Sequence, residues 1–566
     1  MKEDRQCQNC KSEFRIKPED FAFYEKMQVP PPTFCPQCRL QRRLMFRNER
    51  VFYKRKCDLC GKDMITIHSP DKDRKVYCNP CWWSDKWDSA EFAMDYDPSR
   101  SFFEQLQELQ KNVPFMALIV EYPSMVNSEY TNHAGHLKDC YFVFNSDRNE
   151  NCAYLNQSNY SKDCMEGFNV QGCELSYENI SIEKCSGVYF SEDIKASTGI
   201  FFSKDLSGCG DCFGCVNLRN KHYYIFNKPY SPEEYKKKMA EYNLGSFQSV
   251  TKLREEARAF WQTFPVKYMH GSSNNNVSGD YIYNSKNVKE GYIVLNGEDL
   301  KFSQWINLPP TKDCYDYTEW GDGAQNIYEC ITVGQGVNTV KMSSAVWMAN
   351  SMNVEYSLYV IASSNMFGCV GMRKKQYYIL NKQYSKEDFE KIKREIIEQM
   401  DEKPYVDTNG RIFRYGEFFP YELSLYDYNE TSAFDYFPLD KDAVIKSGWR
   451  WKDKENTRYQ ITKSADELPD DIKDAEDAIA KEIIGCASCG FAFRVVSQEL
   501  TLLRRFGLPL PRACFECRQK ERLRRMNPMK SYMRTCAKCG KEISTNYPPD
   551  RPENVYCEQC FNTEVT

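Results

Sequence analysis

Sixteen of the 27 cysteines in this 566-residue chain stand as eight Cys-x-x-Cys pairs, four near each end. The N-terminal pairs are Cys7/Cys10, Cys35/Cys38, Cys57/Cys60 and Cys78/Cys81; the C-terminal pairs are Cys486/Cys489, Cys514/Cys517, Cys536/Cys539 and Cys557/Cys560. The gaps from Cys10 to Cys35, Cys38 to Cys57 and Cys60 to Cys78 recur unchanged at the other end, so every pair returns at one constant offset. A Cys-x-x-Cys turn presents two thiolates on one side of a tight knuckle, and two knuckles complete a tetrahedral zinc site. Four zinc ions are therefore expected. They should be structural, because four cysteine ligands leave no open coordination position. Sequential pairing is expected (Cys7, Cys10, Cys35 and Cys38 first), although a cross-braced arrangement fits the spacing too. A segment of this size buries too little apolar surface to fold alone, and bound zinc supplies roughly 10–16 kcal/mol of apparent folding free energy in such modules.

A basic run follows the second knuckle in each copy. Read as a helix, it places Arg39, Arg42, Arg43 and Arg47 in one copy, and Arg518, Arg522 and Arg525 in the other, on one stripe. Lys520 and Arg524 widen the second stripe. Guanidinium forks suit phosphates, so nucleic-acid binding through these faces is expected, with a solvated helix face as the alternative. Charge is distributed accordingly. Residues 1–85 carry +6 and residues 486–566 carry +6, leaving -16 for the middle of a chain whose net charge is -4.

The stretch "CQNCKSEFRIKPEDFAFYEKMQVPPPTFCPQCRLQRR" and its counterpart "CASCGFAFRVVSQELTLLRRFGLPLPRACFECRQKER" resemble the probable zinc-ribbon family. Its pattern is a Cys-x-x-Cys, an aromatic-Tyr stretch, a Pro-rich step and a Cys-x-x-Cys-Arg. Leu502-Leu503 replaces the aromatic-Tyr pair in the second copy. The whole chain is similar to large zinc-ribbon proteins of uncultured small-genome bacteria. That resemblance implies architecture and no particular activity.

The elements that must hold these ends come next. From Asp139, short β-runs with alternating aromatics ("DCYFVFN", "NCAYLNQ", "DCMEGFN") recur roughly every 12 residues, each closed by Asn, Asp, Ser or Gly. Residues 280–382 repeat the theme. The fold class read from this is mostly β: two tandem β-solenoids (parallel β-helix-like) with helical caps, flanked at both termini by paired four-cysteine zinc ribbons. Two strands and about 24 residues per coil are expected. Both solenoids end alike, at "FGCVNLRNKHYYIFNKPYSPEEY" from Phe213 and "FGCVGMRKKQYYILNKQYSKEDF" from Phe367, and a capped helix follows at Ser231 and at Ser385. The expected division is ribbons at 1–48 and 49–85, a helical connector at 86–116, a solenoid at 117–228 with a cap at 229–265, a solenoid at 266–382 with a cap at 383–401, a mixed connector at 402–485, and ribbons at 486–530 and 531–566. The amphipathic stretch 101–112 is expected to cap the first solenoid. The acidic stretch around Asp470, Asp471, Asp474 and Asp477 is expected to form a solvated helix or to occupy the C-terminal basic face.

Other clusters are weaker. Cys209, Cys212 and Cys215 form C-x2-C-x2-C, but the equivalent positions in the second solenoid are Ser363, Met366 and Cys369. Inward packing is preferred to metal binding there, since i and i+3 of a strand face opposite sides. His133, His136 and Cys140 lack a defined ligand pattern, and His68 has Tyr547 as its counterpart. No catalytic motif is found, so catalysis is not expected. The cysteine density, the charged N-terminus and the absence of a long apolar run fit a reducing, cytoplasmic setting without membrane contact. The leading expectation is a non-catalytic zinc-dependent protein that engages RNA or a ribonucleoprotein through its ribbons. A protein-interaction scaffold is the alternative, and a carbohydrate-active β-helix enzyme a more distant one.

Overall fold

Every third residue from Asp139 to Asn169 adopts a left-handed backbone, with φ of 51–59°. A chain that turns at every third residue closes a full coil after four turns. The strand register follows that arithmetic: Met165 lies beside Tyr177, Ser186 beside Thr198, and Thr198 beside Gly210, each a parallel step of 12 residues. One coil is therefore half the expected length, and each repeat of the sequence is a complete turn. The computed structural model describes residues 3–453 and 459–565, and in it two such solenoids form separate parallel sheets of 12 and 15 strands. The second is less regular. Thr332 bonds Glu319 across a step of 13 residues, and the Ser357 amide bonds Ser343 Oγ across a step of 14 residues.

The three-residue rhythm decides what lies inside. Cys140, Val143, Ser146 and Asn149 from one coil, and Cys152, Leu155, Ser158 and Ser161 from the next, all point inward and are buried. The lumen is narrow, so small residues fill it. Ser and Cys also bond the neighbouring coil. The Cys173 amide donates to Ser161 Oγ (3.3 Å), and the amides of Ser203 and Cys215 donate to Ser191 and Ser203 Oγ (both 3.0 Å). Cys209, Cys212 and Cys215 belong to this lining. The expectation that i and i+3 face opposite sides fails here, because the left-handed corner between them turns both inward.

Each solenoid finishes in an antiparallel hairpin, pairing Tyr224 with Pro229 and Tyr378 with Gln383. The helices Pro232–Met239 and Lys386–Glu402 follow, the first closed by the reciprocal Ser231–Glu234 capping box and the second by Ser385. Tyr235 and Phe389 pack edge-on against Tyr223 and Tyr377. The helix Phe102–Asn112 is present, but it does not cap the first solenoid. Phe102 packs against Tyr356 and Phe367 of the second. No described helix is long and apolar enough to cross a membrane.

Candidate metal centres and arginine clamps

The four sites share one backbone geometry. The first knuckle closes when the residue four after its leading cysteine donates its amide back to that cysteine's carbonyl: Lys11 to Cys7 (3.1 Å), Gly61 to Cys57, Gly490 to Cys486 and Gly540 to Cys536 (all 2.9 Å). All four donors have positive φ, so Lys11 carries a side chain where the other three copies use glycine. In the second knuckle the leading cysteine precedes a short helix, as Cys35 does for Pro36–Leu44 and Cys514 for Phe515–Arg525. Its amide donates to the first sulfur of the site at 3.2–3.3 Å in all four copies.

The groups that result are Cys7, Cys10, Cys35, Cys38; Cys57, Cys60, Cys78, Cys81; Cys486, Cys489, Cys514, Cys517; and Cys536, Cys539, Cys557, Cys560. Pairing is thus sequential, and the cross-braced alternative is discarded. Within each group the sulfurs lie within 4.8 Å of one another. The contacts Cys10–Cys35, Cys60–Cys78, Cys489–Cys514 and Cys539–Cys557 measure 3.6, 3.9, 3.8 and 3.8 Å. A tetrahedral zinc with Zn–S bonds of about 2.3 Å requires sulfur–sulfur edges of about 3.8 Å. Four structural zinc ions fit the four groups. Burial raises the thiols of Cys57, Cys486 and Cys536, but the backbone amides around each sulfur, led by those of Cys78, Cys514 and Cys557, together outweigh it and bring them to about 7, about 6 and about 6. The thiolate is the form that binds metal. His68 is buried beside Met116, whose carbonyl it meets at 3.1 Å, and stands apart from the sulfur groups.

The arginines are a different matter. Arg39, Arg42, Arg43 and Arg47 are buried, not solvent-facing. Arg39 meets Asp316 at 2.9 Å and Glu329 at 3.3 Å; Arg42 meets Glu417 at 3.0 Å; Arg43 meets Asp316 at 3.2 Å. Arg47 pairs with Glu49 (2.9 Å) and with Glu319, and also contacts Asn145 and His133 of the first solenoid. At the other end Arg518 meets Glu166 (2.7 Å) and Glu499 (2.8 Å), Arg522 meets Glu166, and Arg525 meets Glu192 at 3.3 Å. The expected phosphate-binding faces are therefore corrected to internal clamps. Their guanidinium forks are committed to carboxylates in a low-dielectric interior, where removing either partner strands a charge. Only Lys520 and Arg524 of the expected residues face solvent.

No family model matches this chain, and no curated protein does. The two halves of the chain nevertheless match each other at the clamps. Asp163-Cys164-Met165-Glu166 corresponds to Asp313-Cys314-Tyr315-Asp316, and Tyr177-Glu178 to Tyr328-Glu329. The N-terminal ribbon docks on the second solenoid and the C-terminal ribbon on the first, with Asp316 and Glu166 as the equivalent carboxylates; Glu329 also receives the N-terminal arginines, whereas its counterpart Glu178 pairs with Arg254. The second ribbon of each pair does the reverse. Val76 extends beside Phe115, just before the first solenoid, and Val555 beside Val266, just before the second. The two ribbon pairs also touch: Arg50 meets Glu516 at 3.1 Å, and Gln37 donates to the Met529 carbonyl at 3.0 Å.

The acidic stretch neither forms a long helix nor covers Arg518, Arg522 or Arg525. It makes short 3-10 turns. Asp470 accepts from Ser246 Oγ (2.5 Å) and the Gln248 amide (3.0 Å) at the start of the helix Phe247–Trp261, and Asp477 pairs with Arg504. His133 bonds Arg47, His136 bonds Asp147, and Cys140 lines the lumen, so this trio does not converge. Sequence reasoning missed the carboxylates Glu166, Asp316, Glu329, Glu417 and Glu499. For Glu166 and Asp316 the available signal was an acidic residue two places after an inward cysteine in equivalent coils of both solenoids.

Proposed function

We propose that the protein is a non-catalytic, zinc-braced scaffold that binds a protein partner along the outer flanks of its paired solenoids. The observation that carries this reading is the burial of the arginine faces. Most cations of those faces pair with carboxylates where the ribbons meet the solenoids, and Arg525 keeps an unpaired Nε beside a cavity. What remains outside alternates in charge. Lys138, Glu150 and Lys162 form a surface ladder with steps of 3.3 and 3.6 Å, and Lys286, Glu298 and Lys312 repeat it at 3.5 and 3.4 Å. A polyanion gains little on such a stripe, whereas a protein surface of matching pattern gains orientation. The many free thiols suit a reducing cytoplasm.

A second reading keeps RNA or a ribonucleoprotein as the partner, and with it the likeness to zinc ribbons. Lys520, Arg524 and the hairpin residues Lys54, Lys56, Lys538 and Lys541 are exposed. Two experiments on the zinc-loaded full chain separate the readings. Titration with structured RNA is expected to be weak, and a protein complex is expected to survive nuclease and to be lost in Glu150→Lys with Glu298→Lys. Tight RNA binding with a steep salt slope, weakened by Lys520→Gln with Arg524→Gln, favours the second reading and overturns the first.

A further inference from the structure

A cavity of about 620 Å³ lies between the first solenoid, the end of the helix Phe247–Trp261, and the last ribbon. The sheet registers identify its counterpart in the other half. Glu192, Asp193, Lys195, Lys204 and Asp205 occupy the positions of Ser344, Ala345, Trp347, Leu358 and Tyr359. On the second solenoid that wall is buried and carries no charge, with Ala345, Trp347, Leu358 and Tyr359 in the apolar core. Tyr426 of the connector stands over it, stacked on His68 and close to Tyr359. On the first solenoid the same wall is charged and lies open, with nothing equivalent to Tyr426 among the described residues lining it.

The charges around this cavity do not cancel as those of the N-terminal clamp do. There Arg39, Arg42 and Arg43 face Asp316, Glu329 and Glu417, three against three. Here Lys204, Arg258 and Arg525 line the cavity around one wall carboxylate, Glu192, which already pairs with both Lys204 and Arg525. The exposed Glu521 reaches Arg258 at 3.8 Å. The other charges of the rim are paired, Arg219 with Asp205, Arg551 with Glu553, Lys195 with Glu183, His270 with Asp193, and Lys267 with Glu558 outside the cavity. Three N–H donors on the cavity wall are buried without an acceptor: Arg258 Nη2, Arg525 Nε and Trp261 Nε1. Burial and the neighbouring Arg525 both push the Arg258 guanidinium down, the mark of a cation short of counter-charge. Buried N–H groups carry a cost unless an acceptor meets them.

We propose that this cavity is a binding site for a small phosphate monoester, its phosphate received by Arg258 and Arg525 and its organic part set against Trp261 and Phe264. The volume lies in the range of small-molecule sites, and a guanidinium pair matches the phosphate oxygens. The zinc-loaded full chain is titrated calorimetrically with inorganic phosphate, with adenosine 5′-monophosphate, and with adenosine as the uncharged probe. The two phosphates are expected to bind saturably and adenosine not to bind. Arg258→Gln should weaken the monophosphate by about tenfold or more, the loss of one charge-assisted contact. Trp261→Phe keeps an aromatic ring, removes the N–H, and should weaken it by a smaller factor. Arg100→Gln, at a distant exposed pair with Glu108, should leave it unchanged. Absence of saturable phosphate binding, adenosine binding as tightly as the monophosphate, or indifference to both Arg258→Gln and Trp261→Phe overturns the proposal and leaves a water-filled cavity.

Discussion

The N-terminal and C-terminal clamps use the same ligand spacing and one equivalent carboxylate, Asp316 in one and Glu166 in the other, yet they are sealed to different depths. Arg39, Arg42 and Arg43 are shut off from water and neutralised one for one, with Glu417 of the connector closing the group. Arg518 and Arg525 remain partly solvated, and Arg525 shares its one carboxylate, Glu192, with Lys204. The repeated spacing sets the geometry of both. What lies over each half decides the electrostatics. The connector, with Tyr415, Phe418, Phe419 and Tyr428 buried, finishes one side. The other side receives the strap 463–485, which packs with Val250, Leu253 and Leu503 and leaves the cavity open.

The largest expected effect touches both clamps at once. Chelating zinc should unfold all four ribbons, each losing roughly 10–16 kcal/mol of apparent folding free energy. Because the clamps sit on ribbon helices, the junction between the solenoids should loosen too. Hydrogen exchange with and without chelator reads this, and a junction as protected after chelation as before would break the comparison. Next comes the deep clamp. Arg43→Met leaves the buried carboxylates Asp316 and Glu329 one counter-charge short, with Arg39 and Arg42 remaining, and should cost about 3–5 kcal/mol in denaturant unfolding. Arg525→Met removes one partly solvated partner of Glu192 and should cost less, about 1.5–3 kcal/mol. Equal costs would mean that the two clamps are equivalent after all.

A smaller effect belongs to the open side alone. His270 stands where the other half has Ile119. Its Nδ1 meets Asp280 at 2.9 Å and its Nε2 approaches Asp193 of the first solenoid at 3.4 Å. Burial depresses the imidazolium, but Asp280 and Asp193 outweigh burial and raise its pKa well above the ordinary value. The folded state therefore holds the proton more tightly. Its contribution is complete below about pH 6.5 and is lost as pH rises through the raised value. The thermal midpoint should fall with rising pH in that window, and His270→Gln should flatten the profile. The smallest effect is at Asp470. Asp470→Asn should free the first turn of Phe247–Trp261 by about 0.3–1 kcal/mol, seen as faster amide exchange in that turn alone.

How much of this was legible varied with the range of the interaction. The sulfur groups were readable because ligand spacing is local and recurs at both ends. The solenoids and the helices that close them were readable because a short fixed period and the Ser231–Glu234 box lie on the surface of the sequence. The coil length was not, because Phe142, Tyr154 and Leu175 hold left-handed corners that their residue types disfavour. Stacking on the coils above and below overrides that local preference. The arginine faces were correctly placed on helices, but a helical stripe says nothing about what covers it. Arg39 finds Asp316 nearly half the chain away. The acidic stretch reads as helix from its composition, whereas Leu468, Ile472 and Ile479 bind it down as a strap.

The crossed docking has a consequence for how the molecule is made. A ribosome delivers Arg39, Arg42 and Arg43 long before Asp316 and Glu329 exist, and Glu166 long before Arg518 and Arg522. An emerging chain therefore carries Arg39, Arg42 and Arg43 uncompensated until Asp316 and Glu329 appear, and Glu166 uncompensated until Arg518 and Arg522 appear. Such late closure makes a slow-folding chain with exposed intermediates. A chain cut before Arg518 would leave Glu166 without its guanidinium partners, so a truncation far from the first solenoid is felt in its wall.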